Sequence, residues 1–550
     1  GEKRIMLRNI KNIGRRNIEC QLIYLLFSFS VGIAGMCTYQ LNPVAVDKGG
    51  FLRYDIDLVN ERGLLVCAIL SIMAYLLITV VDKGAHQTNV ATMKPYNENR
   101  VFWSTFIIYS FLLGILLALY FPGTGMNDTI NCLMGFWQNT LQPAMFQMII
   151  YGIFQGIFFM CKNATIAYAI IVILQIFAAS YIVANYLRWI ARKGIAKWLL
   201  ILNMIYIMVM PLIGNYTIAL LKDTWFTYAF FLLLPNIYDL IHGEKACWWQ
   251  IVVAVFVVWF SRSNGKLVLV PIMVLLFIFC KSQRKHLAIL LITLVVLNSG
   301  LDYAKNVRFG GYDESFRESM SVPLVQMAAT VVWNGNISED EEEVLYAVLP
   351  EEKWRQNYAF AFVDPIKFDE HFDNLYLAAH KKEFLQTWAS MLKKNLTIYV
   401  KAYLYHTYGN WSLAAYNTNA VDKTQSIFLK LNNNTGDTSI WGEYLASISL
   451  KNDSLLPNGL TKLLQGFHED ACEWNLCLTP GIMFLLLNLC TCIAWKNKRY
   501  KLMLTFLPLY LCWGCMMVAS PASMIYRYSF YILLSLPFVL TMTWRDIGYK

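Results

Sequence analysis

Long apolar runs separated by short polar stretches dominate the chain. A hydrocarbon core about 30 Å thick needs roughly 17 to 23 apolar residues in a helix. Runs of that kind predict spans near 20–39, 63–81, 101–120, 165–187, 196–213, 224–241, 479–495, 501–519 and 525–542. Shorter runs at 247–260, 267–280 and 286–300 complete a set of about twelve transmembrane helices. From Ala144 to Met160 there is again no charge, so hydropathy alone would add a further span. Gln147 and Gln155 suit a protein-buried or interfacial helix better than one facing lipid.

Composition agrees with this pattern. Of 550 residues, 57% are hydrophobic and only 15% charged, against about a quarter charged in a soluble domain. So few charges cannot cover a soluble surface, and the fold class is an α-helical polytopic membrane protein.

Charge then orients the spans. Residues 301–478 hold 15 Lys+Arg and 23 Asp+Glu, while the rest of the chain holds 31 and 13. A basic membrane part thus carries an acidic polar part. If 144–160 does not cross and the amino-terminal cluster from Lys3 to Arg16 is cytoplasmic, 23 Lys+Arg collect on the inside. They include Arg188, Arg192, Lys193 and the clusters 281–286 and 496–501. The positive-inside rule therefore predicts both termini in the cytoplasm and 144–160 as a re-entrant or interface-lying helix. Because the positive charge is scattered between apolar runs, it argues for cytoplasmic loops and against nucleic-acid binding.

The resulting organisation has four parts: 1–100 with two spans and a cytoplasmic loop, a membrane module at 101–300, a mainly helical extracytoplasmic domain at 301–478, and three final spans at 479–550. In the domain, Phe368–Lys394 is expected to be helical, Glu339–Glu343 reads as a solvated helix start, and Asn432–Gly436 as a break. Most of the 13 cysteines sit in apolar runs as packing residues. Cys472 and Cys477 are the exception, and their spacing could close a small disulfide loop outside the cell. No cysteine or histidine cluster has zinc spacing.

Candidate chemistry collects on the outside face. After a long span, Tyr120-Phe-Pro-Gly-Thr-Gly-Met-Asn-Asp128 breaks the helix at the membrane surface and holds Asp128 there. A carboxylate so placed can take a proton from an acceptor hydroxyl, or it can cap a helix starting at Thr129. Asp223, in Lys222-Asp-Thr-Trp225, either caps the next helix or joins Asp128. Arg262 and Lys266, in Ser261-Arg-Ser-Asn-Gly-Lys266, run against the positive-inside trend; they suit phosphate oxygens or snorkel to headgroups. Arg527, in the turn Ser520-Pro-Ala-Ser-Met-Ile-Tyr-Arg-Tyr528, faces the same side. Glu318 and Gln326 either face this site from above or lie on an amphipathic juxtamembrane helix. Carboxylates and cations on one face fit transfer of a group from a lipid phosphate: the base activates the acceptor, and the cations stabilise charge on the leaving phosphate.

These stretches resemble the GT-C glycosyltransferases, specifically bacterial members with a soluble domain before their last spans. The likeness covers roughly 101–330 and 501–542 and rests on Tyr-Phe-Pro-Gly-(x)4-Asp, Lys222-Asp223, Ser-Arg-Ser-Asn-Gly-Lys and Ser-Pro-(x)5-Arg-Tyr. It implies a polyprenyl-phosphate sugar donor, a glycan or polymer acceptor in the cell envelope, and residence in a bacterial plasma membrane. In residue terms it implies Asp128 as base, Asp223 as supporting carboxylate, and Arg262, with Lys266 and Arg527, on the donor phosphate; Glu318 would lie on the acceptor side. No cofactor or metal is expected, although a divalent ion between the two aspartates is compatible with the residues. The chain lacks a Trp-Trp-Asp motif, having only Trp248-Trp-Gln250, which argues against glycosylation of protein asparagine. Gln142-Pro143 stands where protein mannosyltransferases have His-Pro-Pro.

Two other classes compete. A polysaccharide polymerase or ligase would rely on arginines in its large outer loop, where this chain has only Arg308, Arg317 and Arg355. A flippase or transporter would carry charge at mid-membrane, where these spans have almost none.

Overall fold

A computed structural model describes residues 21–41, 59–87, 96–138, 145–309, 315–414, 447–450, 453–473, 477–519, 522 and 525–548. Among these residues the fold is helical throughout, with two isolated β-bridges. The cluster from Lys3 to Arg16, Gln142-Pro143 and the Asn432–Gly436 break lie outside the described residues.

Each of the twelve predicted spans falls on helix. Two amino-terminal helices, α1 (Gln21–Leu41) and α2 (Glu61–Gln87), precede α3 (Glu98–Leu119), α4 (Asn127–Gln138), α5 (Met145–Cys161) and α6 (Ala164–Arg192). Then follow α7 (Lys197–Val209), α8 (Pro211–Ile218), α9 (Lys222–His242), α10 (Trp248–Ser261), α11 (Ser263–Phe279) and α12 (Arg284–Phe309). Seven helices among the described residues are long and apolar enough to cross a membrane, or eight if α7 and α8, bent by 55°, are one span. The bend has a local cause: Pro211 lacks an N–H and holds Met210 extended, at ψ 110°. Exposed Leu65, Ile72, Val80, Phe111, Ile292 and Val296 line the outer faces of α2, α3 and α12. Apolar surface of that extent is the mark of contact with lipid.

Between the predicted membrane segments come shorter helices: α13 (Ser315–Ser319), α14 (Ser321–Val332), α15 (Glu339–Val348), α16 (Glu351–Asn357), α17 (Asp364–Lys367), α18 (Asn374–Ala379), α19 (Lys381–Lys394) and α20 (Leu396–Thr407). The acidic run starts α15 through a capping box between Ser338 and Glu341. Phe368–Lys394 is not one helix. Asp373 caps a new start by accepting from the Tyr376 N–H at 2.8 Å, and the chain breaks again at His380. Gln326 does not face the candidate site; it is buried in this region, donating to the Tyr399 carbonyl and accepting from Trp388 Nε1.

The last four helices are α21 (Asn458–Cys472), α22 (Pro480–Lys496), α23 (Tyr500–Ala519) and α24 (Tyr526–Gly548). The disulfide that the Cys472–Cys477 spacing allows does not form: Cys472 is buried and accepts from Asn215 Nδ2 at 3.2 Å, and Cys477 is exposed.

The bundle is organised around α9, which is buried from Asp223 to Leu240 on nearly every side. Its carboxyl-terminal end holds Asp239, which accepts from Trp189 Nε1 at 2.9 Å and from Lys193 Nζ at 2.6 Å. Arg545 of α24 donates to Tyr238 at 2.8 Å beside them. At its amino-terminal end sits Asp223, about 24 Å from Asp239 at 1.5 Å per residue. The basic segments at 188–193 and 545 therefore gather at one end of α9, opposite the candidate residues.

Candidate active site

The site begins with a chain break that the sequence demands. Pro122 and Gly123 end α3, and Gly123 adopts φ 125°, a conformation side chains rarely take. A Cβ there would lie 2.8 Å from Val172 Cγ2 and 2.9 Å from the Ile218 carbonyl. This close approach lets Thr124 pair with the stretch after α8: its N–H donates to Ile218 and its carbonyl accepts from Leu220, both at 3.0 Å. Thr129 Oγ1 donates to the Leu220 carbonyl at 2.8 Å, and Gln175 Nε2 donates to the carbonyls of Thr217 and Ala219. The loop carrying Asp128 is thus riveted to the loop carrying Asp223.

Arg527, in the first turn of α24, joins the two aspartates. Its Nη1 donates to Asp128 Oδ2 at 3.0 Å, and its Nε lies 3.8 Å from Asp223 Oδ2. Arg262, in the break between α10 and α11, makes a direct ion pair with Asp223 Oδ1. Lys222 Nζ approaches Asp128 Oδ2 at 3.6 Å. The order Lys222, Asp128, Arg527, Asp223, Arg262 is a line of alternating charge. Tyr528 supports it from beside: both guanidiniums lie over its ring, Arg527 at 4.8 Å and Arg262 at 5.2 Å, and its hydroxyl accepts from Arg527 Nη2. A cavity of about 10 Å³, room for one water at most, lies among Asp223, Phe226, Arg262, Asn264, Arg527 and Tyr528.

The two carboxylates differ in exposure, and that separates their chemistry. The Asp223 side chain is 2% exposed, whereas that of Asp128 is 35% exposed. Asp223 is locked between arginines; Asp128 leaves part of its carboxylate open at the protein surface. Enclosure by protein pulls the Asp128 pKa up, but Arg527, Lys222 and Arg262 outweigh it and the carboxyl settles below its usual range. Neither aspartate caps a helix: α4 begins at Asn127, one residue before Asp128, and α9 is preceded by Leu221 with no side-chain cap.

Two expected residues are not brought in. Lys266, a turn into α11, makes none of these contacts. Glu318 is committed to buried Lys367, whose Nζ lies 3.2 Å from its Oε2, and to Arg317. A residue not anticipated from sequence does approach. Phe362 forms an antiparallel bridge with Ala522, just before α24, and Asp364 follows it. Water reaches Asp364 on one side while protein hems it in elsewhere. That desolvation pushes its carboxyl above the usual range, opposed by Lys367, reinforced by Glu318, and modulated by the nearby charges of Arg527 and Asp128. Lys222 stood in the sequence beside Asp223 without an assigned role, and Tyr528 beside Arg527; adjacency was the only signal for either.

Among the described residues, no group of three or more His, Cys, Asp or Glu side chains converges as metal ligands would.

Fold and site together define a helical membrane protein with an alternating-charge cluster at one end of its bundle. Residues 140–548 match a family of unknown function, DUF6020, and the chain belongs to that family. The matched stretch includes Asp223, Arg262, Asp364 and Arg527 and begins after Asp128. No curated protein and no solved structure matches the chain.

Proposed function

We propose that this protein is a GT-C-type glycosyltransferase of a bacterial plasma membrane, moving a sugar from a polyprenyl-phosphate donor to a cell-envelope glycan or polymer on the extracytoplasmic face. In this reading twelve helices cross the membrane, both termini are cytoplasmic, and residues 301–478 lie outside. The observation that carries it is the partly exposed Asp128 carboxylate held 3.0 Å from Arg527, which also reaches the buried Asp223–Arg262 pair.

The reaction follows from that arrangement. Asp128, ionised at neutral pH, accepts the proton of an acceptor hydroxyl. The hydroxyl oxygen attacks the anomeric carbon, the bond from that carbon to the phosphate oxygen breaks, and polyprenyl phosphate leaves with the bonding electron pair. A single displacement inverts the anomeric centre. Arg262 and Arg527, held by Asp223, stabilise the leaving phosphate.

The rival readings have less support. The clustered arginines lie outside 301–478, unlike the loop arginines expected of a polymerase or ligase. The buried carboxylates Asp223 and Asp239 sit at the two ends of α9, where a transporter would need charge near its middle. The test is a panel of polyprenyl-phosphate sugars incubated with purified protein, with free polyprenyl phosphate followed by mass spectrometry. Release by the native protein and its loss in Asp128→Asn, whose partly exposed side chain can be changed with the fold kept, support the reading; intact, unbound donors across the panel refute it.

A further inference from the structure

The amphipathic helix α21, between residues 301–414 and the last three spans, has no part in the proposed chemistry. Its surface divides into three sectors. Ala471 and Cys472 are buried, and Thr461, Leu464 and His468 are half-buried, where the helix packs on α3 and α8. Asn458, Lys462 and Glu469, on the far side, are exposed polar residues. Between these sectors Leu460, Leu463 and Phe467, at the three- and four-residue spacing of one helical stripe, are 44%, 69% and 66% exposed. Leu455, just before the helix, is 63% exposed.

Where this stripe lies is fixed at both ends. The Asp453 N–H donates to the Phe121 carbonyl at 2.9 Å, and the Leu455 N–H to the Ala118 carbonyl at 2.8 Å. These acceptors end α3, whose outer face is the exposed apolar belt that includes Phe111. Further along, Tyr120 and His468 Nδ1 hydrogen-bond at 3.0 Å, and Cys472 meets Asn215 of α8. Eight residues after Cys472, α22 begins. The helix is therefore pinned at the level where the α3 belt ends, for its whole length of about 22 Å.

We propose that α21 is an interfacial helix. Its Leu460, Leu463 and Phe467 stripe enters the boundary between phospholipid headgroups and acyl chains on the Asp128 side of the membrane, with its opposite polar face in water. The occupant of the stripe is the bilayer, because the stripe continues the lipid-facing surface of α3. The helix also ties that surface to the loop holding Asp128 through His468 and Tyr120.

The experiment introduces the photoreactive residue p-benzoylphenylalanine at Leu463, Phe467, Glu469 and, as a lipid-facing reference, Phe111. The full chain is reconstituted in phosphatidylglycerol–phosphatidylethanolamine nanodiscs, irradiated, and analysed by mass spectrometry of its peptides. Only variants eluting as the native protein does are compared. Phospholipid adducts at positions 463, 467 and 111, at least five-fold above position 469, are the expected result. Three outcomes overturn the proposal: cross-links from 463 or 467 to another part of this chain, such as 415–446; cross-links to a second copy; or adducts at 111 with none at 463 and 467. Equal adducts at 469 and 463 overturn it as well.

Discussion

Arg527 reaches Asp128 across 399 positions of sequence and 3.0 Å of space. The same guanidinium faces Asp223, so one side chain from the last helix connects a partly exposed carboxylate to a buried one. Any substitution in this line of charges acts according to exposure, and the two aspartates give opposite expectations.

Asp223→Asn should be costly to the fold. The carboxylate is buried against Arg262 and Arg527, and removing one partner of a buried pair leaves uncompensated charge, at about 3–5 kcal/mol. Thermal or denaturant unfolding in detergent measures this, and a loss under about 1 kcal/mol would contradict the buried pairing.

Gly123→Ala should destabilise by roughly 2 kcal/mol or more, from a strained positive φ and a Cβ driven against Ile218 and Val172. Gly114→Ala, in α3 with nothing within 4 Å of the added carbon, should instead be neutral or gain about 0.5–1 kcal/mol. Comparing the two melting temperatures separates loop geometry from a general sensitivity to substitution.

His468 predicts a pH dependence of stability. Burial lowers its pKa from 6.5 to about 4, so the neutral ring is the folded form. The stability it contributes is complete above pH 6.5 and is lost as pH falls towards 4, by at most ~3 kcal/mol. In His468→Gln the stability curve should flatten in that window; an unchanged slope would show that the ring is not desolvated.

Asp364 has the opposite sign. Its raised carboxyl contributes stability below its unfolded value of 3.8 that is lost as pH rises through the folded value. Asp364→Asn should therefore be more stable than the native protein at pH 7, with the difference vanishing as the pH approaches 3. Unfolding midpoints at the two pH values decide it.

What the sequence reveals here depends on how local each signal is. Helix positions follow from run length, so the predicted spans fall on helices, seven or eight of which, among the described residues, are long and apolar enough to cross a membrane. Asp128, Asp223, Arg262 and Arg527 stand out because charge beside a helix break, at the edge of an apolar run, is unusual enough to notice in one dimension. Their pairing is not visible there, since it needs the bridge between Thr124 and Ala219 to bring two loops together. Asp364 is invisible for the same reason: an Asp-Pro at the start of a four-residue helix looks like any other, and only the contact of Phe362 with Ala522 carries it to the site. The partners of Glu318 and Gln326 are equally hidden in one dimension, because a polar residue near a membrane surface has many ways to be satisfied: Glu318 pairs with Lys367, and Gln326 turns inward to the Tyr399 carbonyl.

The central claim, that Asp128 is the base of a glycosyl transfer, is tested most directly by Asp128→Asn. The side chain is partly exposed, so losing its ion pairs should change stability by less than about 1 kcal/mol. With the unfolding midpoint matched to that of the native protein, release of polyprenyl phosphate from a donor sugar in the presence of acceptor is measured for both. The account predicts loss of at least about a hundred-fold in rate; turnover within a few-fold of native would contradict it.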